Sequence, residues 1–281
     1  MLGKDLKQAL PGLAALQMCS GDTLEVNLQQ AERLLRAAAA GGAALAVLPE
    51  NFAVFGAGLY GETARALPAI LERIADWARE LQLWIVAGTL PADSRPDGNA
   101  TSPGHVRAAS HVFAADGSIA ARYDKIHLFD VEVADAQGSY RESATFEAGD
   151  AVVVVDTPCG RLGLSVCYDL RFAELYLALA GQGADLISVP AAFTRHTGEA
   201  HWQALLRARA IENQVYVIGA GQSGRHSAKR ETWGHSQIID PWGRVLAECL
   251  DDGPGLALAS RNPQEQNDIR QHMPVASHRR L

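Results

Sequence analysis

Three apolar runs of this sequence end in side chains that can do chemistry together. ALAVLPE ends in Glu50, IAARYDK ends in Lys125, and RLGLSVC ends in Cys167. In α/β sheets the crevice at the carboxyl ends of strands is where ligands bind, so a carboxylate, an ammonium and a thiol can meet there. We expect Cys167 to lie just before a helix that Asp169 opens. Both the helix N-terminus and the Lys125 charge would lower the thiol pKa and favour the thiolate.

These three groups together predict nucleophilic catalysis, in which Glu50 takes the proton of Cys167 and passes it to a leaving nitrogen. Each residue also has a plainer interpretation. Glu50 can be a solvated or helix-capping acid. Lys125 can be a surface lysine paired with Asp124 or Asp130. Cys167 can simply fill the core, because free cysteine is among the most buried residue types.

Alternating strands and helices must position these side chains. The helical segments have apolar residues at helical spacing, and the strand segments are short apolar runs. The predicted strands are LAALQM, ALAVLPE, LWIVAGTL, AVVVVDT, RLGLSVC, ADLISVPAAF and VYVIGAG. The predicted helices are TLEVNLQQAERLLRAAAA, GETARALPAILERIADWARELQ, DLRFAELYLALA and HWQALLRARAIENQ. Two hairpins are predicted, HVFAADGSIAARYDK with its turn at Asp116-Gly117 and HSQIIDPWGRVLAE with its turn at 240–243.

Such a pattern is typical of the α/β class, in which helices cover a sheet. The hairpins indicate mixed rather than purely parallel sheets. The polar loop around 90–107 has strand-like segments close on both sides, so we interpret it as internal to a domain and not as a linker. Two sheets packed back to back between helical layers and a single doubly wound sheet both remain possible from the periodicity.

Composition limits the possible partners. The 281 residues are 48% hydrophobic and 20% charged, with a formal net charge of −7, so a large core is available and a basic footprint for nucleic acid is absent from the sequence. No apolar run approaches the roughly 18 residues that a membrane span needs. We therefore expect neither nucleic acid nor membrane as a partner.

The cysteine pattern indicates thiols in a reducing cytoplasm. Cys19, Cys159, Cys167 and Cys249 lie far apart, without a C-x-x-C pair and without a Cys/His cluster at zinc spacing. The sequence therefore predicts neither a structural metal nor a disulfide framework. A thiol-redox protein is disfavoured, because no resolving cysteine lies close to Cys167 in the sequence.

Three motifs resemble the signatures of the nitrilase, or carbon–nitrogen hydrolase, superfamily. They are LPENF (48–52), YDKIHLFD (123–130) and VCYDLRF (166–172), in that order, and the resemblance covers nearly the whole chain. It implies a four-layer α-β-β-α sandwich and one carbon–nitrogen hydrolase domain over residues 1–281. It also implies a small-molecule amide substrate, no cofactor and assembly into a homodimer or a larger homo-oligomer.

The resemblance also implies roles for single residues. By position in the motifs, Glu50 is the general base, Lys125 stabilises the transition state and Cys167 is the nucleophile. A second essential glutamate of the family matches Glu142 in the segment YRESATFEAGD. The alternative for Glu142 is a surface acid paired with Arg141.

Within the superfamily, the C-terminal half resembles the branch that hydrolyses deaminated glutathione to 2-oxoglutarate and cysteinylglycine. We expect the backbone N–H of Tyr168 to hold the oxyanion, and Phe193 and Thr194 to line the pocket. That substrate carries carboxylates, which Arg171 and the basic residues of the loop 224–230, namely Arg225, His226, Lys229 and Arg230, can pair with. A solvated loop is the alternative.

Other functions remain open at this point. Within the superfamily the chain can be an ω-amidase acting on 2-oxoglutaramate, a general short-chain amidase, or, less well supported by the C-terminal motifs, a nitrilase. The chain can also be a non-catalytic binding protein that keeps the fold. In such a protein we would expect Glu50, Lys125 or Cys167 to be replaced, and all three are present.

Overall fold

The computed structural model describes residues 10–56 and 58–280, which form two large sheets with helices outside them and two separate two-stranded sheets. The elements of the N-terminal part are β1 (Gly12–Gln17), α1 (Leu24–Ala40), β2 (Ala43–Val47), α2 (Tyr60–Arg65), α3 (Leu67–Leu81), β3 (Trp84–Val86), β4 (Leu90–Ala92), β5 (Val106–Phe113), β6 (Ile119–Asp124), β7 (Asp130–Glu132), β8 (Ser139–Arg141), a 3₁₀ turn (Glu142–Ala144) and β9 (Phe146–Glu147).

The C-terminal part continues with the second sheet and its helices. Its elements are β10 (Val154–Thr157), β11 (Gly160–Leu164), a 3₁₀ turn (Cys167–Arg171), α4 (Ala173–Gly181), β12 (Leu186–Ala191), α5 (Arg195–Asn213), β13 (Tyr216–Gly221), β14 (Ser223–Arg225), β15 (Glu231–Trp233), β16 (Gln237–Ile239), β17 (Val245–Glu248), β18 (Gly255–Ser260), α6 (Pro263–His272) and α7 (Val275–His278).

Both sheets are mixed, as the hairpins in the sequence predict. Within the described residues the first sheet has the order β18-β1-β2-β3-β5-β4, with β6 and β9 also paired to β5. Its strands β1, β2 and β3 are parallel, and β18 and β5 join them antiparallel. The second sheet has the order β10-β11-β12-β13-β16-β17, with a parallel centre of β11, β12 and β13.

The two faces of β1 explain why its sequence is a continuous apolar run. Leu13 and Ala15 lie in a core shared with β11, β12 and β13, whereas Ala14 and Leu16 pack with α1 and α3. A strand that is covered on both faces cannot alternate apolar with polar residues. The layers are therefore helices, sheet, sheet and helices, with α4 and α5 on the outside of the second sheet. This four-layer α-β-β-α sandwich confirms the expected fold class.

The two predicted hairpins are confirmed. The first pairs β5 with β6 in antiparallel register, and Gly117 in its turn has φ +83°. The second pairs β16 with β17 across the turn that begins at Asp240. Asp240 holds that turn, since its carboxylate accepts the N–H groups of Trp242 and Arg244.

Some element boundaries differ from the predictions. The long helix predicted over 61–82 is two helices that meet at Ala66, because Pro68 lacks the N–H that would continue the hydrogen bonding from α2. The strand predicted over 83–90 is divided into β3 and β4 at Gly88, which has φ +44°. The helix predicted from residue 201 begins six residues earlier, at Arg195.

Candidate active site

Glu50, Lys125 and Cys167 lie together in one cavity at the ends of three strands. Glu50 is in the turn after β2, Lys125 directly follows β6, and Cys167 begins the 3₁₀ turn after β11. The Lys125 Nζ lies 2.7 Å from Oε1 of Glu50, and both side chains are buried. The plainer interpretations of Glu50 as a solvated acid and Lys125 as a surface lysine are therefore wrong.

Glu142 completes the cluster from a fourth segment, the 3₁₀ turn between β8 and β9. Both of its carboxylate oxygens contact the Lys125 ammonium, at 2.8 and 2.9 Å. Its Oε2 also accepts the backbone N–H of Phe129 at 2.6 Å. The alternative pairing of Glu142 with Arg141 does not occur, because Arg141 pairs with Glu132 instead.

The backbone around Glu50 is held by close packing. The N–H of Asn51, at φ +55°, donates to Oγ1 of Thr89, and the Glu50 carbonyl accepts from Gln222. Gly88 lies against this turn so closely that a Cβ on it would be 1.9 Å from the carbonyl oxygen of Pro49. Only glycine combines that contact with the positive φ at position 88.

Lys125 is fixed by the strand that precedes it and by a second glycine. Its N–H donates to the carbonyl of Ala108 on β5 at 3.0 Å, and its own carbonyl accepts the N–H of Gly149 at 2.7 Å. A Cβ at Gly149 would lie 2.1 Å from the carbonyl oxygen of Asp124. The turn at Gly149-Asp150 therefore fixes the backbone position of Lys125 at the end of β6.

Cys167 has a backbone conformation that non-glycine residues seldom adopt, with φ +48°. Such strain persists where the surrounding structure enforces it, and it clusters at functional sites. The expectation that Asp169 opens an α-helix beside Cys167 is wrong: residues 167–171 form a 3₁₀ turn, and α4 begins only at Ala173. The effect of an α-helix N-terminus on the thiol is correspondingly missing.

Asp169 instead joins the 3₁₀ turn that begins at Cys167 to residues 123–127, which contain Lys125 and are called the lysine segment below. The carboxylate is fully buried, and its Oδ2 accepts the N–H of Val166 at 2.8 Å and the hydroxyl of Tyr123 at 2.6 Å. Its Oδ1 lies 3.0 Å from the backbone nitrogen and 2.7 Å from Nδ1 of His127, both on the lysine segment. The His127 ring stacks on Phe172 with the centroids 3.7 Å apart.

Sequence reasoning missed this arrangement of Asp169, Tyr123 and His127. The available signal was that all three residues lie within the two motifs around Lys125 and Cys167. The spacing along the chain did not show that the two motifs share one buried carboxylate.

The charges in the cluster set its protonation states. Burial acts to lower the pKa of Lys125, but the carboxylates of Glu142 and Glu50 outweigh it and raise that pKa well above its ordinary value. Burial raises the pKa of Glu142. Lys125 acts to lower that pKa and the Glu50 charge to raise it, and the net shift is upward. Lys125 is therefore an ammonium at neutral pH.

The thiol responds in the opposite sense to the sequence prediction. Burial raises the pKa of Cys167 well above its ordinary value, the Glu50 charge raises it further, and Lys125 only partly opposes them. The single ammonium is shared between two carboxylates, which leaves it unable to favour a thiolate. In the free protein Cys167 is a thiol whose proton must leave during attack.

The cavity around this cluster has a volume of about 360 Å³. Its walls are largely aromatic and cationic. The lining residues are Glu50, Asn51, Phe55, Gly56, Tyr60, Lys125, Phe129, Gln137, Tyr140, Arg141, Glu142, Thr145, Phe146, Cys167, Tyr168, Arg171, Ala192, Phe193, Thr197, His226, Ser227 and Arg230.

Three of the five predicted substrate-binding residues, Tyr168, Arg171 and Phe193, line this cavity. The Arg171 guanidinium lies over the Phe193 ring at 5.2 Å and near the Tyr168 ring at 5.8 Å. Thr194 is buried behind the wall, where its Oγ1 accepts the N–H of Thr197 and caps α5. Arg225 is exposed on β14 and is not among the lining residues. Both of these predictions require correction.

Several lining residues were not anticipated from the sequence. Phe55, Tyr60, Phe129 and Tyr140 supply aromatic surface, and burial raises the pKa of Tyr60 to about 12, so its phenol stays neutral. Of the basic-loop residues expected from the sequence to meet a carboxylate, His226 and Arg230 line the cavity, whereas Arg225 and Lys229 do not.

The described residues hold no group of three or more His, Cys, Asp and Glu side chains that could bind a metal ion. In the same part of the chain, no helix is both long and apolar enough to cross a membrane.

Comparisons with known proteins show the family to which this chain belongs. The model of the family described as carbon-nitrogen hydrolase matches residues 12–271. A protein of Yersinia enterocolitica called deaminated glutathione amidase is 44% identical over 272 residues, which is 96% of this chain and 93% of that protein.

Two solved structures show the same fold. The Caenorhabditis elegans NitFhit protein is 38% identical with a TM-score of 0.86, over 96% of this chain and 65% of that one. An amidase variant of Nesterenkonia sp. AN1 is 25% identical with a TM-score of 0.77, over 97% of this chain and 98% of that one. In the latter, the acetamide moiety of fluoroacetamide is covalently attached to the active-site cysteine.

Proposed function

Because this chain belongs to the carbon–nitrogen hydrolase family and is an amidase, we propose that it hydrolyses deaminated glutathione to 2-oxoglutarate and cysteinylglycine. The reaction proceeds through a thioester on Cys167. One observation carries the proposal: Lys125 is held between Glu50 and Glu142 in the cavity that Cys167 lines. A base, a cation and a nucleophile within one cavity are the groups that amide hydrolysis through a covalent intermediate requires.

In the first half-reaction the sulfur of Cys167 bonds to the amide carbon as its proton passes to Glu50. The negative charge that develops on the amide oxygen is held by the Lys125 ammonium and the backbone N–H of Tyr168. Tyr168 is suited to this because the first N–H groups of a helical turn have no partner within it. Glu50 then gives the proton to the nitrogen, the carbon–nitrogen bond breaks, and cysteinylglycine leaves.

In the second half-reaction water replaces the leaving amine. Glu50 takes a proton from the water as the water oxygen bonds to the thioester carbon. The carbon–sulfur bond then breaks, the proton returns to Cys167, and 2-oxoglutarate is released. The same carboxylate is base and acid in turn, which is why the thiol can remain protonated between turnovers.

Glu142 acts on the cation. The ammonium has three N–H donors, and the two oxygens of Glu142 can share one of them. Glu50 takes the second, which leaves the third for the oxyanion. We assign Glu142 the role of fixing the direction of these donors, supported by its own anchor on the N–H of Phe129.

Arg171, Phe193 and Tyr168 shape the substrate end of the cavity. The contact of the Arg171 guanidinium with the Phe193 ring, at 5.2 Å, restricts the motion of the side chain, so its donors can meet a substrate carboxylate with little loss of conformational freedom.

The wider properties follow the family. We propose that residues 1–281 form one domain, which the match of the family model over 12–271 supports. We also propose a cytoplasmic enzyme that works without a cofactor and assembles into a homodimer or larger homo-oligomer.

The test is kcat/KM for a panel of amides, namely deaminated glutathione, 2-oxoglutaramate and simple short-chain amides, with Cys167→Ser as the control. We expect deaminated glutathione to be the best substrate and Cys167→Ser to be inactive. Preference for 2-oxoglutaramate would identify an ω-amidase instead. Turnover by Cys167→Ser at the wild-type rate would refute the thioester on Cys167.

A further inference from the structure

Arg230 enters the cavity with hydrogen-bonding capacity that the protein leaves unused. It lies just before β15, and its Nη2 donates to the carbonyl of Ala192 at 2.6 Å. Its Nη1 is buried and has no hydrogen-bond partner among the described residues. Buried polar atoms are almost always hydrogen-bonded, so an unpartnered guanidinium nitrogen in a cavity wall needs an explanation.

Aromatic rings hold the guanidinium in place. Its central carbon lies 4.9 Å from the centre of the Tyr140 ring and 5.5 Å from that of Phe55. Cations are attracted to the faces of such rings, but rings do not satisfy N–H donors. The position of the charge is therefore fixed before any ligand binds.

The neighbouring acid does not neutralise Arg230. Asp135 lies near enough to influence it electrostatically. However, the Asp135 carboxylate is already engaged by the hydroxyl of Tyr140 at 2.7 Å and by the N–H groups of Gln137 and Gly138. The described residues offer Arg230 no ion pair, so its charge is available to an anion in the cavity.

Ala192 relates this charge to the reacting centre. Its carbonyl accepts from Arg230, while its backbone N–H interacts with the thiol of Cys167. Because one residue touches both groups, a ligand carboxylate on Arg230 would be separated from the carbon under attack by only a short chain.

We propose that Arg230 is a specificity-determining residue whose guanidinium binds a carboxylate of the substrate. The inference rests on the proposed function, since it names the part of the substrate that is recognised. Arginine suits this role because its planar donors match carboxylate geometry and its charge persists at any physiological pH. The carboxylate is that of the 2-oxo acyl group or that of the terminal glycine.

Kinetics of Arg230→Gln with deaminated glutathione and with 2-oxoglutaramate test the proposal. We expect KM to rise about 10- to 100-fold, as for loss of a hydrogen bond to a charged group, with a smaller change in kcat. A rise with both substrates assigns the acyl carboxylate, which both contain. A rise with deaminated glutathione alone assigns the glycine carboxylate.

The matched control is Lys229→Gln, which removes a positive charge from the adjacent exposed residue outside the cavity lining. It is expected to leave both KM values near wild type. Equal KM values for wild type and Arg230→Gln, or the same rise in Lys229→Gln, would overturn the proposal. Arg230→Lys keeps the charge without the planar fork and should recover part of the affinity.

Direct binding separates this inference from the proposed function. Calorimetric titration of Cys167→Ser protein with 2-oxoglutarate and with cysteinylglycine needs no turnover. We expect Arg230→Gln in that background to weaken at least one of the two. If wild type hydrolyses none of the amides, the proposed function fails, whereas unchanged affinity for both probes refutes the role of Arg230.

Discussion

Both carboxylate oxygens of Glu142 contact the ammonium of Lys125, at 2.8 and 2.9 Å. The same ammonium pairs with Glu50 at 2.7 Å, so one cation is shared by two acids. This relationship decides the chemistry available to Cys167. With a net negative charge beside it, the thiol keeps its proton until Glu50 removes it in the reaction itself.

The protonation state of Cys167 is directly testable. Because burial and Glu50 raise its pKa well above 9.0, the free enzyme should contain a thiol at neutral pH. The rate of modification by an uncharged methanethiosulfonate should therefore keep rising as the pH increases beyond 9.0. Cys167→Ser supplies the background from the other three cysteines. A rate that levels off near neutral pH would show a thiolate and contradict this prediction.

Replacing Lys125 with methionine should cost both activity and stability. It removes an oxyanion partner, so kcat should fall at least ~10²-fold. It also leaves Glu50 and Glu142 buried without their cation, which should lower the free energy of unfolding by about 3–5 kcal/mol at neutral pH.

The pH dependence of that loss has a definite sign. The pKa of Glu142 is already raised in the folded protein, by burial and by Glu50. A carboxyl group with a raised folded pKa binds its proton more tightly in the folded state, so its effect is to stabilise the protein as the pH falls. Urea unfolding of Lys125→Met should show partial recovery in mild acid, and Lys125→Met/Glu142→Gln should be more stable than Lys125→Met at neutral pH. Equal stability of wild type and Lys125→Met at neutral pH would contradict the prediction.

Asp169→Asn should disturb the site although residue 169 does not touch substrate. The carboxylate accepts hydrogen bonds from Val166 and Tyr123 on one oxygen and from His127 on the other. An amide NH₂ in place of either oxygen would face donors instead of accepting from them. We expect a loss of about 3 kcal/mol in thermal or urea unfolding and a fall in kcat. Tyr123→Phe removes one donor only and should cost about 1 kcal/mol. Equal effects of the two variants would show that Asp169 does not organise these segments.

Gly149→Ala should displace Lys125 through the backbone. The added Cβ would lie 2.1 Å from the carbonyl oxygen of Asp124, so the chain before the lysine must shift. We expect about 1–3 kcal/mol of destabilisation together with reduced kcat. The control is Gly61→Ala on α2, where a Cβ meets no atom within 4 Å and helix propensity favours alanine. Normal kinetics in Gly149→Ala would show that this turn does not position Lys125.

Much of the fold could be predicted from residue periodicity. The apolar runs marked the strands, and the turn at Asp116-Gly117 marked the hairpin that ends at Asp124, because both signals are local. The break at Ala66 and the division at Gly88 were missed. A proline at the second position of a helix and a glycine in an apolar run are compatible with several structures, and packing selects among them.

Side-chain direction was the less predictable part of the site. The basic loop 224–230 was expected to supply a carboxylate partner from among Arg225, His226, Lys229 and Arg230, and the structure places Arg230 in the cavity lining but leaves Arg225 exposed. Two short strands, β14 and β15, decide this by their pairing, in which Arg225 lies opposite Glu231. No feature of the seven-residue loop itself distinguishes the two arginines.

By itself the sequence determined which reactive groups this protein has. It also determined that these groups lie at the ends of strands, because composition and periodicity are local properties of the chain. The identity of Glu142 as the further acid came from family resemblance. Only the tertiary structure decided the charge state of Cys167 and the connection of Asp169 to the lysine segment. The reason is physical: a pKa depends on burial and on the sum of neighbouring charges, and here those charges come from segments that are distant in sequence and meet only when the two sheets pack together.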